Sequence, residues 1–248
     1  MEHLTVMPFF DFYAIYQGIR NSKPTAGRSE AIEDLHRTNS KGQVIYSSGD
    51  VVIYRDLTLN WIATAAGVDA SDSVVGVFFD GHLTIKGNLL THEKGGFFYF
   101  AGDLTVENVV QIQAEINCPA HIQVNKTCLC AYPEGYVEGA TIAAKNLIVT
   151  DHHFSFSKVA CDFAIGLGQG WFYGFPNDIV ENARSKAREI AKQRPDIDAE
   201  ILAGKAVSQT LTKVLGPDAC YECEINIEAI LERIRLRQPL FLQPPLDG

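Results

Sequence analysis

At 248 residues, 46% of them hydrophobic and 21% charged, the chain can bury a substantial core, and its ordinary composition excludes disorder, a collagen-like repeat and a disulfide-packed miniature. Thirty Asp and Glu against 21 Lys and Arg leave a net charge of −9, which argues against nucleic acid as a direct ligand and favours a basic partner. No apolar run reaches the ~18 residues of a membrane span and Met1-Glu2-His3 does not open a secretory signal, so the reading is a soluble cytoplasmic protein whose six cysteines are reduced thiols.

Residues 1–42 carry an aromatic stretch (Phe9, Phe10, Phe12, Tyr13, Tyr16) and then Ser29 ahead of Glu30-Ala31-Ile32-Glu33-Asp34-Leu35, where serine suits a helix N-cap. The segment is expected to form an N-terminal helical cap of two short helices.

Residues 43–157 are dense in Val, Ile, Thr, Phe and Gly, lack a helical stripe, and repeat. The phrase "apolar, x, apolar" recurs as Leu57-Thr58-Leu59, Leu83-Thr84-Ile85, Leu104-Thr105-Val106, Ile122-Gln123-Val124 and Ile142-Ala143-Ala144, at intervals of 26, 21, 18 and 20. Two copies share their surroundings, Asp80-Gly81-His82-Leu83-Thr84-Ile85-Lys86-Gly87-Asn88 and Ala101-Gly102-Asp103-Leu104-Thr105-Val106-Glu107-Asn108. A second apolar phrase follows each first one (Leu89-Leu90, Val109-Val110, Leu147-Ile148), and a third precedes the next turn (Val77-Phe78-Phe79, Phe97-Phe98-Tyr99-Phe100, Ile116).

Three short strands per repeat are the content of one coil of a β-solenoid. A strand of three to five residues is unstable alone, and stacking coils at about 4.8 Å supplies its partners. The alternate residues Leu83 and Ile85, Leu104 and Val106, and Ile122 and Val124 then form aliphatic ladders, with Thr84, Thr105 and Gln123 outward. Gly81, Gly87, Gly102, Asn88 and Asn108 are assigned to corners needing positive φ or tight turns. A hairpin-linked β-sandwich is the competing architecture and explains the repeated phrase less well.

Residues 158–248 open with Gly166-Leu167-Gly168-Gln169-Gly170-Trp171-Phe172-Tyr173-Gly174-Phe175-Pro176 and continue as a C-terminal helical subdomain. Asn177 or Asp178 caps a helix to about Gln193, with Ile179, Ala183, Ala187 and Ile190 on one face. Asp198 opens a second that ends at Gly216-Pro217, its buried side carrying Ile201, Leu202, Val207, Leu211 and Leu215, and Ile225 to about Arg237 forms a third.

No constellation completes a catalytic or metal-binding set. Asp151-His152-His153 has the residue types of a two-metal phosphoesterase motif without the further aspartates that chemistry needs. Cys220-Tyr221-Glu222-Cys223 has knuckle spacing, but its possible co-ligands Cys118, His121 and Cys161 are remote in sequence. Cys128-Leu129-Cys130 is read as two thiols on opposite positions. The glycine run lacks Gly-Lys-Ser/Thr, and no Gly-x-Ser-x-Gly elbow is present. The chain is therefore read as non-enzymatic, with no cofactor and no metal.

Charge is concentrated on the repeat: residues 43–157 hold twelve acids and five bases. Because a β core excludes charge, Asp80, Asp103, Glu107, Glu115, Glu134, Glu138 and Asp151 are expected to decorate its outside as an acidic wall that steers a cationic protein. Trp171, Phe172, Tyr173 and Phe175 add a candidate aromatic docking patch.

The phrases Gly102–Asn108, Asp80–Asn88 and Val149-Thr150-Asp151-His152-His153-Phe154 resemble the repeat region of bacterial β-solenoid proteins that act as immunity or accessory proteins of polymorphic and type VI secreted toxins. The resemblance covers about residues 50–157. It implies a non-enzymatic binder that occludes a toxin, such as a nuclease with a basic cleft, and it carries over no catalytic residue. A bactofilin-like polymer-forming scaffold is the structural alternative, and a metal-dependent hydrolase using Asp151, His152 and His153 is the enzymatic one; homo-oligomerisation stays open.

Overall fold

The computed structural model describes residues 4–22, 29–38, 40–69, 73–91, 96–131, 135–168, 172–173, 175–176, 178–194, 196, 198–221 and 223–242, with backbone alone at 172 and 173. The chain forms two compact units, one of residues 1–162 and 169–175, the other of 163–168 and 176–248.

The first unit is a β-solenoid. Its strands are β1 (Leu4–Pro8), β2 (Gln43–Ser47), β3 (Val51–Ile53), β4 (Val74–Phe79), β5 (Leu83–Thr91), β6 (Phe97–Phe100), β7 (Leu104–Gln111), β8 (Glu115–Ala131), β9 (Tyr136–Thr150), β10 (His153–Leu167) and β11 (Phe172–Tyr173). They form one sheet wound into coils, nearly all of it parallel, with helices α1 (Phe9–Ser22), α2 (Glu30–Arg37) and α3 (Leu59–Ala65). Three walls follow from the pairing. Wall A stacks β2, β4, β6 and the first parts of β8 and β9; wall B stacks β3, the start of β5, the start of β7 and the middles of β8 and β9; wall C stacks the ends of β5, β7, β8 and β9.

The repeated phrase sets this register. Leu83, Leu104, Ile122 and Ile142 are consecutive Cα partners, as are Leu89, Val109, Cys128 and Leu147, and so are Val77, Phe98, Ile116 and Val137. All are buried in one cluster, so the interior is a set of aliphatic and aromatic columns. Each full-sized side chain so buried contributes about 1.5–3 kcal/mol.

Four expectations are corrected here. The first copy of the phrase is Val51-Val52-Ile53, which pairs with Leu83-Thr84-Ile85, not Leu57-Thr58-Leu59. Leu57 bridges to Leu89 on wall C, and Thr58 caps α3 by accepting from the Trp61 N–H at 3.0 Å. α3 itself was not legible in the repeat region; its Leu59, Ile62 and Ala63 join the solenoid interior. The N-terminal segment is not purely helical, since β1 pairs antiparallel with β2 and covers the edge that β2 would otherwise leave open. The strand content runs past 157, because β10 continues to Leu167.

The corners also differ in mechanism. Gly81, Gly87 and Gly102 do not have positive φ; that conformation falls on Gly49, at φ 72°, among others. They are glycines because the backbone of the preceding coil passes where a side chain would stand: a Cβ on Gly102 would lie 2.6 Å from the Gly81 carbonyl oxygen, and one on Gly87 would lie 2.6 Å from the Arg55 carbonyl carbon.

The second unit contains α4 (Ile179–Gln193), α5 (Ala199–Leu215), the hairpin β12 (Cys220–Tyr221) and β13 (Glu224–Ile225), and α6 (Ile227–Arg235). Asp178 and Asp198 cap α4 and α5 as expected, each accepting two backbone N–H groups. The buried face of α4 is rotated from that expected, burying Val180, Ala187 and Ala191 and exposing Ile190; α5 buries Val207, Leu211 and Leu215 as expected, adds Ala203 and Val214, and exposes Ile201. Buried Arg233 of α6 ties the unit together, donating to the Leu215 carbonyl at 2.5 Å, to the Leu240 carbonyl at 3.1 Å and to the Asp218 carboxylate at 2.5 and 2.6 Å. Among the described residues no helix is long and apolar enough to cross a membrane.

Candidate functional site

The three walls differ in what covers them. On wall A the outward residues Val44, Phe78, Phe97 and Tyr99 are buried with Phe9, Phe12 and Tyr16 of α1 and Ile32 of α2. Phe12 stacks on Phe97 at 5.1 Å, and Tyr16 meets Tyr99 edge-on at 5.6 Å. On wall C the outward residues Val110, Leu129 and Ile148 are buried too, and Leu90 at the start of that row is partly accessible. Wall B is different: in its outward row Thr84, Thr105, Gln123 and Ala143 are partly accessible and Val52 is exposed. At its first coil Val52 is 48% and Tyr54 82% accessible.

A column of polar side chains edges wall B. Asp50 Oδ1 accepts from the His82 N–H at 2.8 Å, His82 Nδ1 from the Asp103 N–H at 3.0 Å, and Asp103 Oδ1 from the His121 N–H at 3.2 Å; His121 Nδ1 then lies 2.6 Å from the Thr141 hydroxyl. The far edge has a second column. Asp56 Oδ1 accepts from the Asn88 N–H at 2.8 Å, Asn88 Oδ1 from Asn108 Nδ2 at 2.8 Å, Asn108 Oδ1 from the Thr127 N–H at 3.1 Å, and Thr127 Oγ1 from Asn146 Nδ2 at 3.2 Å. This, and not a turn conformation, is the role of Asn88 and Asn108.

The expected acidic wall is met in part. Asp80 is exposed and accepts from the Tyr46 hydroxyl at 3.1 Å, and Asp103 is exposed in the column. Glu107 pairs with Lys126 at 3.0 Å and accepts from Asn125, contacts that hold its carboxyl below the ordinary range. Glu115 and Glu138 contradict the expectation: they project from wall A and are buried. Glu115 Oε2 accepts from the Ala31 N–H at 2.8 Å at the start of α2, and Tyr136 donates to Glu138 Oε2 at 2.8 Å while Asn117 Nδ2 donates to Glu138 Oε1. Desolvation pushes the Glu115 carboxyl up to about 7, and raises that of Glu138. Glu134 and Trp171 lie outside the described residues, as do the side chains of Phe172 and Tyr173. The backbone of β11 pairs in parallel with Phe154 and Ser155, and Phe175 packs edge-on to Phe154 at 5.9 Å against the solenoid core.

The other motifs disperse. Asp151 is an exposed corner at φ 46°, His152 is fully buried, and the His153 ring lies 5.5 Å from Tyr136. Gly135 makes room for His152: a Cβ there would strike the imidazole Cε1 and approach Gln111 Nε2 to 2.5 Å. Cys128 and Cys130 share the interior face of β8, Sγ to Sγ 3.7 Å, which corrects the opposite-sides expectation; residues two apart on a strand point the same way. Cys220 and Cys223 donate to carbonyls of Gly216 and Gly204, each at 3.1 Å. Among the described residues no three His, Cys, Asp or Glu side chains form a metal-ligand group.

Sequence reasoning missed Asp50, His82 and His121 as a set. The signal was available: each immediately precedes an apolar phrase, at the position Asp103 holds before Leu104. Compared with protein-family models, curated proteins and solved structures, the chain matches none of them. The fold defines the class, a β-solenoid with a separate helical unit.

Proposed function

We propose that the chain is a non-enzymatic immunity protein that neutralises a cationic bacterial toxin by docking wall B and the Asp50–Asp103 column against it. The observation that carries this reading is the difference between the walls: wall B keeps its outward row at least partly accessible, with Val52 and Tyr54 exposed on the first coil and Asp50 and Asp103 in the column along its edge. Apolar groups next to like-signed charges suit a partner that offers a hydrophobic contact inside a basic rim. Asp50 and Asp103 stand two coils apart in one column, about 10 Å at the spacing of β-strands, close enough to act on one cationic patch.

The test is co-expression of the product of the adjacent gene with this chain in a heterologous bacterium. Wild-type protein is expected to restore growth, and the double variant Asp50→Lys, Asp103→Lys to lose that protection while its circular dichroism is unchanged. With purified proteins, the same variant slows association more at low salt than at high salt. Growth unaffected by the adjacent product alone, or full protection by the double variant, overturns the reading.

A further inference from the structure

Wall A carries, beneath α1 and α2, a group of oxygen atoms that its own hydrogen bonds do not use. Two adjacent rows run across the rungs: Phe97, Glu115 and Tyr136 are successive Cα partners, and Tyr99, Asn117 and Glu138 are the next such row. Rows lie two residues apart, so their side chains project from the same side of the sheet. Within them Glu115 Oε1, Asn117 Oδ1 and the Tyr99 hydroxyl are buried and meet no partner, on residues that are 6%, 1% and 0% accessible. The Glu115 carboxyl is otherwise hydrogen-bonded by the Ser29 side chain and, through Oε2, by the Ala31 N–H, and Asn117 donates through Nδ2.

Charge and donor chemistry select what belongs there. Glu115 feels the negative charges of Glu138 and Glu30, and Arg20 on the neighbouring α1 is committed to Glu33 at 2.8 Å. Glu115 and Asn117 stand two residues apart on β8, and Asn117 is the Cα partner of both Tyr99 and Glu138, so these oxygens belong to neighbouring positions on one face of the sheet. All the donors are oxygens, which selects a hard cation over zinc or copper.

We propose that Glu115, Asn117, Tyr99 and Glu138 form a site for one hard divalent cation of the calcium or magnesium type, which locks α1 and α2 onto wall A. The site lies away from wall B and does not depend on the docking role.

The full chain, stripped of metal, is titrated with calcium chloride and separately with magnesium chloride by calorimetry. One site is expected, with tyrosine-sensitised emission when terbium is the probe; whichever of calcium and magnesium binds more tightly names the occupant. Tyr99→Phe removes one oxygen without removing a charge and is expected to weaken binding about tenfold, Glu115→Gln more, and Asp103→Asn on the exposed column not at all. No saturable heat with either ion, equal affinity in Tyr99→Phe and wild type, or a crystal grown in calcium that holds only an ordered water among these oxygens overturns the proposal.

Discussion

The Glu115 carboxylate accepts a 2.8 Å hydrogen bond from the backbone N–H of Ala31, 84 positions earlier in the chain. Ala31 lies in the first turn of α2, where Ser29 accepts from the Ile32 N–H at 3.2 Å. The solenoid therefore supplies half of the cap of a helix that lies on it.

Burial of this carboxyl, which outweighs the hydrogen bonds from Ser29 and Ala31, has a pH signature. The folded-state pKa of Glu115 is about 7 against an ordinary 4.5, so the native chain holds its proton more tightly than the unfolded chain. The favourable contribution is complete below about 4.5 and is lost as pH rises to about 7, an effect of about 3 kcal/mol. In metal-free buffer, urea unfolding of wild type minus Glu115→Gln is expected to fall across that window. A difference that is flat from pH 4.5 to 7 would assign the buried proton elsewhere.

Gly102→Ala brings a methyl 2.6 Å from the Gly81 carbonyl oxygen, which belongs to the adjoining coil's backbone and has no free rotamer to retreat into. The expected cost is about 1–3 kcal/mol, read as a lower urea midpoint. Gly18→Ala on α1, where a Cβ meets nothing within 4 Å, is the control and should be neutral or slightly stabilising.

Leu104 is fully buried between Leu83 and Ile122, so Leu104→Ala should cost about 2–5 kcal/mol by thermal or urea unfolding of the solenoid unit. Ile190→Ala changes an exposed residue that sequence periodicity had placed in the core, and should stay within about 0.5 kcal/mol. Comparable losses for the two would contradict the burial assignments.

Cys128, Cys130 and Cys118 line the solenoid interior and Cys220 is buried in the helical unit. Burial and the neighbouring Cys128 thiol raise Cys130 well above the ordinary thiol range, and burial pushes Cys161 up to about 11. Native protein at pH 8 should react slowly with an aromatic disulfide reagent at these positions, and addition of urea should release them together with the loss of β signal. Rapid native labelling of Cys128 or Cys130 by mass spectrometry would refute this.

The coils were legible because their physics is periodic. Leu83, Leu104 and Ile122 repeat at 21 and 18 residues, and those intervals are the register in space. The first coil was misaligned because α3 lies between Val51 and Leu83, which lengthens that interval to 32 while Leu57-Thr58-Leu59 mimics the phrase. The burial of Glu115 and Glu138 was not legible: alternation places them outward, as observed, but nothing local announces that α1 and α2 return to cover that wall. The face of α4 was rotated because apolar spacing alone does not distinguish Ile190 from Ala191 as the inward residue.

The polar columns at the corners have a sense of direction. From Asp50 to Asp103 and from Asp56 to Thr127, the acceptor always belongs to the earlier coil and the donor to the later one. A ribosome delivers the N-terminus first, so every acceptor is synthesised before the group it receives. Each completed turn is thus a template awaiting its successor, and the order of translation coincides with the order in which the stack can wind.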